Sequence, residues 1–137
     1  MINIIYGSKG SGKTKHIIQL ANDQIENEQL GDIVFITDTS RYIHDIKYQI
    51  RFTNTKETHI TTEDGFLGFV QGMLEANYDI RYFYVDGVAR MIGKEVEEME
   101  SFFSKLEQVA RKTEATFTLT ISRDLEELPD FVRKYIE

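Results

Sequence analysis

Eight consecutive residues near the start of the chain have the types and spacing that bind a phosphate chain. They fit the pattern G-x-x-x-x-G-K-[ST], and in order they are Gly7-Ser8-Lys9-Gly10-Ser11-Gly12-Lys13-Thr14. The glycines let the backbone turn tightly and bring successive N–H groups close to an anion. Lys13 supplies a cation for the β- and γ-phosphates, and the Thr14 hydroxyl supplies an oxygen ligand for Mg²⁺. The pattern predicts nucleotide binding at residues 7–14.

A second chemical signal is the run of strand-forming residues at 81–85, which is followed by Asp86 and Gly87. An aspartate at the end of a strand in a parallel sheet lies beside the crevice where such sheets bind ligands. We therefore expect Asp86 to hold Mg²⁺ through one of its waters, opposite Thr14. A structural strand followed by an Asp-Gly turn has the same pattern, and the motif at residues 7–14 favours the functional interpretation.

The elements that would position these residues alternate along the chain. Runs rich in β-branched and aromatic residues predict strands, at 2–6, 33–36, 58–62, 81–85 and 116–121. Apolar residues three or four apart predict helices, at 16–28 in a helical pattern that begins near Lys13, and at 40–51, 66–74 and 94–112, with a short terminal helix that has Pro129 in its first turn. Helices between strands imply crossover connections, so we predict a mainly parallel sheet covered on both faces, a three-layer α/β/α sandwich.

Length and composition bound the functions that these motifs can serve. At 137 residues the chain is expected to form one domain, residues 1–137. The net charge of -7 argues against direct, non-specific binding to nucleic acid or to an anionic membrane. The chain has no cysteine, which excludes disulfides, thiolate zinc sites and cysteine catalysis and favours a cytoplasmic location. We also expect no membrane span and no signal peptide, because no apolar run is long enough and the first strand is predicted from residue 2.

With these motifs in this order, the chain resembles a small P-loop nucleoside triphosphatase over essentially its whole length. Residues 7–14 match the Walker A loop of that family, and 82–86 match its Walker B strand. The last predicted strand, ending in Thr118-Leu119-Thr120-Ile121-Ser122, is similar to that of the branch related to RecA and to the additional-strand ATPases. This likeness implies that the last strand lies in the sheet between the strand before the Walker A loop and the Walker B strand.

The same likeness implies roles for residues at the end of the last strand. Ser122, or Thr120, would sense the γ-phosphate, and the neighbouring Arg123 would approach the nucleotide. An ordinary hydroxyl at the end of a strand is the alternative for Ser122.

A second, looser resemblance is to the thymidine-kinase group. There too the second strand leads into a D-x-x-R-Y-like segment, which in this chain is Asp38-Thr39-Ser40-Arg41-Tyr42. The zinc-binding cysteines and the substrate-gripping lasso of that group have no counterpart in the sequence.

One departure from the triphosphatase pattern bears on catalysis. In hydrolytic members of the branch, a glutamate follows the Walker B aspartate and polarises the attacking water, and here that position is Gly87. Hydrolysis would then be slow or would use another carboxylate. Asp38, predicted at the carboxyl end of the second strand, is the best placed candidate, followed by Glu63 and Asp64. Each of these carboxylates can instead cap a helix or lie solvated in its first turn.

Three functions remain open on the sequence alone. The first is an ATP-binding protein with slow Mg²⁺-dependent hydrolysis, acting as a switch or motor subunit with a protein partner or in a homo-oligomer, where Arg90 or Arg51 serves as an arginine finger. The second is a phosphotransferase that moves the γ-phosphate to a nucleoside or other small acceptor. The third is a nucleotide-binding interaction module that hydrolyses nothing. ATP is favoured over GTP because the sequence has neither D-x-x-G at Asp86 nor a late N-K-x-D motif.

Overall fold

Five parallel strands form one sheet in the residues that the structure, a computed structural model, describes, 1–27 and 31–136. The strands are β1 (Ile2–Tyr6), β2 (Asp32–Thr37), β3 (Arg51–Asn54), β4 (Ile80–Val85) and β5 (Thr116–Ile121). Their order across the sheet is β1-β5-β4-β2-β3, and each neighbouring pair is parallel. The predicted parallel sheet is confirmed, and β5 lies between β1 and β4 as expected.

Helices cover both faces of the sheet. They are α1 (Lys13–Glu26), α2 (Glu63–Ala76), α3 (Val88–Ile92), α4 (Glu100–Thr113) and α5 (Asp130–Arg133). α1 packs on one face together with the segment 42–50, and α2 to α5 pack on the opposite face. These three layers are the predicted α/β/α arrangement. Within the described ranges, no helix has both the length and the apolar character needed to span a bilayer.

Strand β2 shows how the sheet is buried on both sides. Its residues alternate, with Ile33 and Phe35 packed towards α1 and with Val34 and Ile36 packed towards α2–α5. All four side chains are buried, which explains why the sequence of this strand is a continuous apolar run. Because all the strands are parallel, their carboxyl ends share one edge of the sheet, and the polar residues that follow them are collected there.

The chain after β2 differs from the prediction in two places. Residues 40–51 do not form an α-helix: a 3₁₀ turn at Ile43–Asp45 is followed by further turns, and β3 begins at Arg51. The predicted strand at 58–62 is also wrong. Thr58 and His59 end a turn, residues 60–62 have no regular secondary structure before α2, and His59 has the left-handed φ of 57°.

A tertiary contact explains the helix-like spacing that misled the prediction. Ile46 and Ile50 are both buried against the α1 face of the sheet. Between α1 and this segment, the Asn22 amide donates a hydrogen bond to the Asp45 carbonyl (2.8 Å) and accepts one from the Lys47 N–H (3.0 Å). The segment is thus held in a non-helical path by α1, which overrides local propensity.

The predicted helix at 94–112 starts later in the structure. α4 begins at Glu100, and a 3₁₀ turn at Val96–Glu98 replaces the first part of the predicted helix. A separate short helix, α3, lies before this region and was not predicted. Gly93 ends α3 because it adopts a left-handed φ of 65°, which favours glycine.

The ends of two helices complete the comparison with the prediction. α1 begins at Lys13, where the helical pattern after the loop was predicted to start, and its predicted end at residue 28 lies outside the described residues. Pro129 immediately precedes α5 and does not lie in its first turn.

Candidate functional site

The glycine-rich loop, residues 7–14, connects β1 to α1 and has an open concave side. Gly10 and Gly12 have φ of 83° and 91°, and a Cβ atom at either position would meet nothing within 4 Å. Gly12 is the residue before α1, whose 14 residues give it a helix dipole directed at this point. The first turn of a helix has unpaired N–H groups, so the loop and helix together offer donors to an anion.

Lys13 is folded back over the loop. Its Nζ donates a hydrogen bond to the Ser8 carbonyl (2.9 Å), which also accepts from the Ser11 N–H (3.1 Å). Burial lowers the pKa of Lys13, the Asp86 charge opposes that effect, and the Arg90 charge adds to it. The ammonium group therefore lies among the other charged residues of the site and is held there by a bond that an incoming phosphate oxygen can replace.

Thr14 and Asp86 meet across the edge of the sheet. The Thr14 hydroxyl donates to Asp86 Oδ2 (2.9 Å), and Asp86 is 5% exposed. The other carboxylate oxygen accepts from the Thr120 hydroxyl (2.7 Å), which in turn accepts from the Gly87 N–H (2.9 Å). A hydroxyl and a carboxylate are the oxygen ligands that Mg²⁺ prefers. The residues present therefore fit a magnesium site with most of its coordination left to other ligands.

Asp38 and Arg90 form an ion pair at the same edge. Arg90 Nε lies 2.6 Å from Asp38 Oδ2, and Arg90 Nη2 lies 2.8 Å from Oδ1, so the contact is bidentate. The hydrogen bonds from Arg90 lower the pKa of Asp38, and those to Asp38 raise the pKa of Arg90. Asp38 is therefore a weak base, and it does not cap a helix as its sequence position allowed.

A pocket of about 880 Å³ joins the glycine-rich loop to the edge of the sheet, and Arg90 lines it whereas Asp38 does not. At one end it is lined by Lys9, Lys13, Thr14, Asp86 and Arg90. Its size lies within the range of small-molecule sites, and the charged groups at this end are those of the glycine-rich loop and the sheet edge.

The other end of the pocket extends along α1. Ile18 and Asn22 line it from the helix, and Arg41 and Tyr42 line it from the chain after β2. Arg41 lies over the Tyr42 ring, with its guanidinium carbon 5.4 Å from the ring centroid. No sequence motif predicted a role for the part of α1 beyond Thr14 at this end of the pocket. The usable signal is the helical spacing of Ile18 and Asn22, which places them on one face.

The residues at the end of β5 differ in exposure and in contacts. Ser122 and Thr120 both line the pocket, but Ser122 is exposed whereas Thr120 is buried against Asp86. Arg123 points to the acidic segment before α4, where it pairs with Glu97 and lies 2.6 Å from Glu95. Its backbone carbonyl accepts from the Gly7 N–H (2.9 Å) and ties the loop to the end of β5.

The two remaining carboxylate candidates lie at the start of α2. Glu63 pairs with Lys94 at 2.7 Å, and Asp64 lies exposed, 3.8 Å from Lys105. The helix is capped by Thr62, whose hydroxyl accepts from the Gly65 N–H (3.0 Å). Both carboxylates thus lie in the first turn of α2, where negative charges stabilise a helix.

None of the known protein-family models matches the chain, and no curated protein sequence compared with it matches either. The function is therefore inferred from the geometry and chemistry of the site.

Proposed function

We propose that the chain binds ATP with Mg²⁺ and hydrolyses it slowly, as a P-loop nucleoside triphosphatase that works as a switch or motor subunit with a protein partner or further copies of itself. The observation that carries this proposal is the 2.9 Å contact between Thr14, at the start of α1, and Asp86, at the end of β4. It joins the two sequence motifs at one point of the sheet edge, next to the open side of the glycine-rich loop.

Phosphate binding is supported by the groups that surround the loop. Gly10 and Gly12 leave space where other residues would place a side chain. Lys13 can exchange the Ser8 carbonyl, now 2.9 Å from Nζ, for a phosphate oxygen. The N-terminus of α1 adds its dipole to the same place.

Magnesium would be held by Thr14 and Asp86. When bound, it would neutralise charge on the phosphates. Thr120 fixes the Asp86 carboxylate from the other side, so that Oδ2 stays directed at Thr14. The position of β5 between β1 and β4 is the strand order of the RecA-related branch and supports assignment to it.

Slow hydrolysis is proposed because no strong base faces the pocket at the expected position. Gly87 replaces the glutamate that activates water in that branch. Both oxygens of the nearest other candidate, Asp38, are engaged by Arg90, and the same contact lowers the pKa of the carboxyl group. A carboxylate with a depressed pKa removes a proton from water poorly.

Phosphotransfer to a small acceptor is the second candidate, and the shape of the pocket favours it. The pocket continues past the loop to Asn22, Arg41 and Tyr42. A guanidinium and an aromatic ring at that end can bind a polar or planar molecule. Consumption of ATP that depends on an added nucleoside or sugar would favour this candidate over hydrolysis.

Calorimetric titration of Mg²⁺-ATP into the wild-type chain and the Lys13→Ala variant tests the proposal. Lys13→Ala should weaken binding by about tenfold or more, because it removes a charged donor to the phosphates. Lys112→Ala on α4 removes the same charge away from the loop and should leave the affinity unchanged. Absence of binding by the wild type would overturn the proposal. Binding without turnover would support a nucleotide-binding interaction module.

A further inference from the structure

We propose that Arg90 contacts the terminal phosphate of a nucleoside triphosphate bound by the same chain, and that Asp38 positions Arg90 for this contact. This inference rests on the proposed function and deepens it. Arg90 would then act within its own site and not as a finger offered to a neighbouring subunit. Asp38 would be a positioning residue and not a base that activates water.

The geometry of the ion pair leaves Arg90 able to bind a second anion. A guanidinium carries five N–H groups, and Asp38 engages only Nε–H and one N–H of Nη2. Among the residues that the structure describes, none accepts from the other N–H of Nη2 or from either N–H of Nη1, so these groups can bind a second acceptor. The Arg90 side chain is 57% exposed and that of Asp38 is 12% exposed, so the buried carboxylate holds a guanidinium that a ligand can still reach.

The backbone after β4 brings the guanidinium close to the metal-binding end of the strand. Arg90 lies in α3, which begins at Val88, two residues after Asp86. Gly87 has φ of 84°, and a Cβ atom there would lie 2.3 Å from Arg90 Nη2. The guanidinium is therefore packed against the Gly87 backbone on one side and bonded to Asp38 on another.

The electrostatics place Arg90 among the groups that would bind phosphate and metal. Arg90 lines the same end of the pocket as Lys13 and Asp86. The pKa of Arg90 is raised mainly by its hydrogen bonds to Asp38 and less strongly by the Asp86 charge, and the pKa of Lys13 is lowered mainly by burial and less strongly by the Arg90 charge. Two cations that repel each other across a pocket are both stabilised when an anion enters between them.

An arginine on the terminal phosphate should discriminate a triphosphate from a diphosphate. The test is calorimetric titration of Mg²⁺-ATP and Mg²⁺-ADP into the wild type, Arg90→Ala, Arg90→Lys and Asp38→Asn. We expect Arg90→Ala to weaken ATP binding about tenfold or more and ADP binding about twofold or less, because the lost hydrogen bonds are charge-assisted. Arg90→Lys keeps the charge but not the planar fork and should fall between the wild type and Arg90→Ala.

The role of Asp38 is tested by combining variants. If Asp38 acts through Arg90, Asp38→Asn weakens ATP binding selectively, and adding it to Arg90→Ala causes no further loss. A separate role in binding would instead make the two losses multiply. Arg111→Ala on α4, an exposed arginine paired with Glu107, is the matched control and should leave both affinities unchanged.

Retained ADP binding shows that a variant is folded and that its loop is intact, so each comparison is made on a working site. Equal weakening of ATP and ADP by Arg90→Ala would overturn this inference and leave the proposed function standing. Failure of the wild type to bind either nucleotide would overturn both. Selective loss of ATP binding in Arg90→Ala with unchanged ATP binding in Asp38→Asn would overturn the positioning role of Asp38.

Discussion

The Thr120 hydroxyl lies 2.7 Å from Asp86 Oδ1 and joins the carboxyl ends of two neighbouring strands, β5 and β4. It also accepts a hydrogen bond from the Gly87 N–H, 2.9 Å away. One buried side chain thus fixes both the carboxylate that faces Thr14 and the backbone turn that begins α3. Because Gly87 immediately precedes α3, the helix that carries Arg90, this hydroxyl couples the candidate metal site to the position of Arg90.

Replacement of Thr120 by valine should destabilise the protein and weaken nucleotide binding. Valine has a similar shape but leaves the Gly87 N–H and one Asp86 oxygen without their hydrogen-bond partner in a buried place. We expect the free energy of unfolding to fall by about 1–3 kcal/mol. Urea denaturation measures this change, and Thr120→Ser, which keeps the hydroxyl, should recover most of the lost stability.

Two glycines that flank α3 provide a matched pair of alanine substitutions. Gly87 and Gly93 both have left-handed φ, 84° and 65°, so alanine at either position costs about 1–2 kcal/mol of backbone strain. Only at Gly87 would the new Cβ collide with Arg90, since Gly93 faces open space. Gly87→Ala should therefore be the more destabilising and should also reduce the preference for ATP over ADP. Equal effects of the two substitutions on stability and nucleotide preference would contradict this prediction.

Asn22 should fix the conformation of the segment after β2 that forms the far end of the pocket. It bonds to the Asp45 carbonyl and to the Lys47 N–H, at 2.8 and 3.0 Å. Asn22→Ala removes both bonds, so the Lys47 amide should exchange its hydrogen faster and the protein should lose about 1–3 kcal/mol of stability. Hydrogen exchange followed by mass spectrometry measures the first effect. Gln19→Ala, which loses only an exposed contact with Asp23 within α1, should leave exchange at Lys47 unchanged.

The parts of the site that were predictable depend on local backbone requirements. The motif at residues 7–14 needs glycine at its first and sixth positions, and the positive φ of Gly7 and Gly12, 153° and 91°, bears out that requirement. Strand β5 was predicted with its observed bounds, 116–121, because both of its neighbours and both covering layers bury it. An aspartate after a buried strand in a parallel sheet can lie only at the carboxyl edge, and so Asp86 was placed correctly.

Strand β3 was missed because its conformation comes from a partner and not from its own residues. It has four residues, Arg51–Asn54, and lies at the edge of the sheet beside β2 alone. The register pairs Arg51 with Val34 and Thr53 with Ile36. A short polar sequence of this kind has no alternation that a pattern can detect, and only the pairing with β2 fixes it as a strand.

The ion pair between Arg90 and Asp38 also could not be predicted from the sequence. The two residues are 52 positions apart. Asp38 was expected at the edge of the sheet, but the direction of the Arg90 side chain depends on α3. This helix has five residues and lies between two glycines with left-handed φ. A helix this short has too few turns for apolar periodicity to reveal it.

Asp38→Asn should remove part of the pH dependence of stability. Arg90, and more weakly Lys56, lower the pKa of Asp38 in the folded protein. The unfolded chain has the ordinary value of about 3.9. The stabilisation is therefore complete above about pH 4, as set by the unfolded value, and is lost as the pH falls through the lower, folded pKa. At pH 7 we expect Asp38→Asn to reduce the free energy of unfolding by on the order of 1 kcal/mol, a modest value because solvent screens the half-exposed Arg90.

The difference between the wild type and Asp38→Asn should shrink as the pH falls from 7 to 2, because protonation of Asp38 removes the charge that asparagine lacks at every pH. Urea denaturation of both proteins at several pH values measures this difference, and the other carboxylates, common to both proteins, cancel to first order. Arg90→Lys retains a positive charge beside Asp38 and should keep a pH dependence close to that of the wild type. A constant difference across the range would show that Arg90 does not stabilise the ionised form of Asp38.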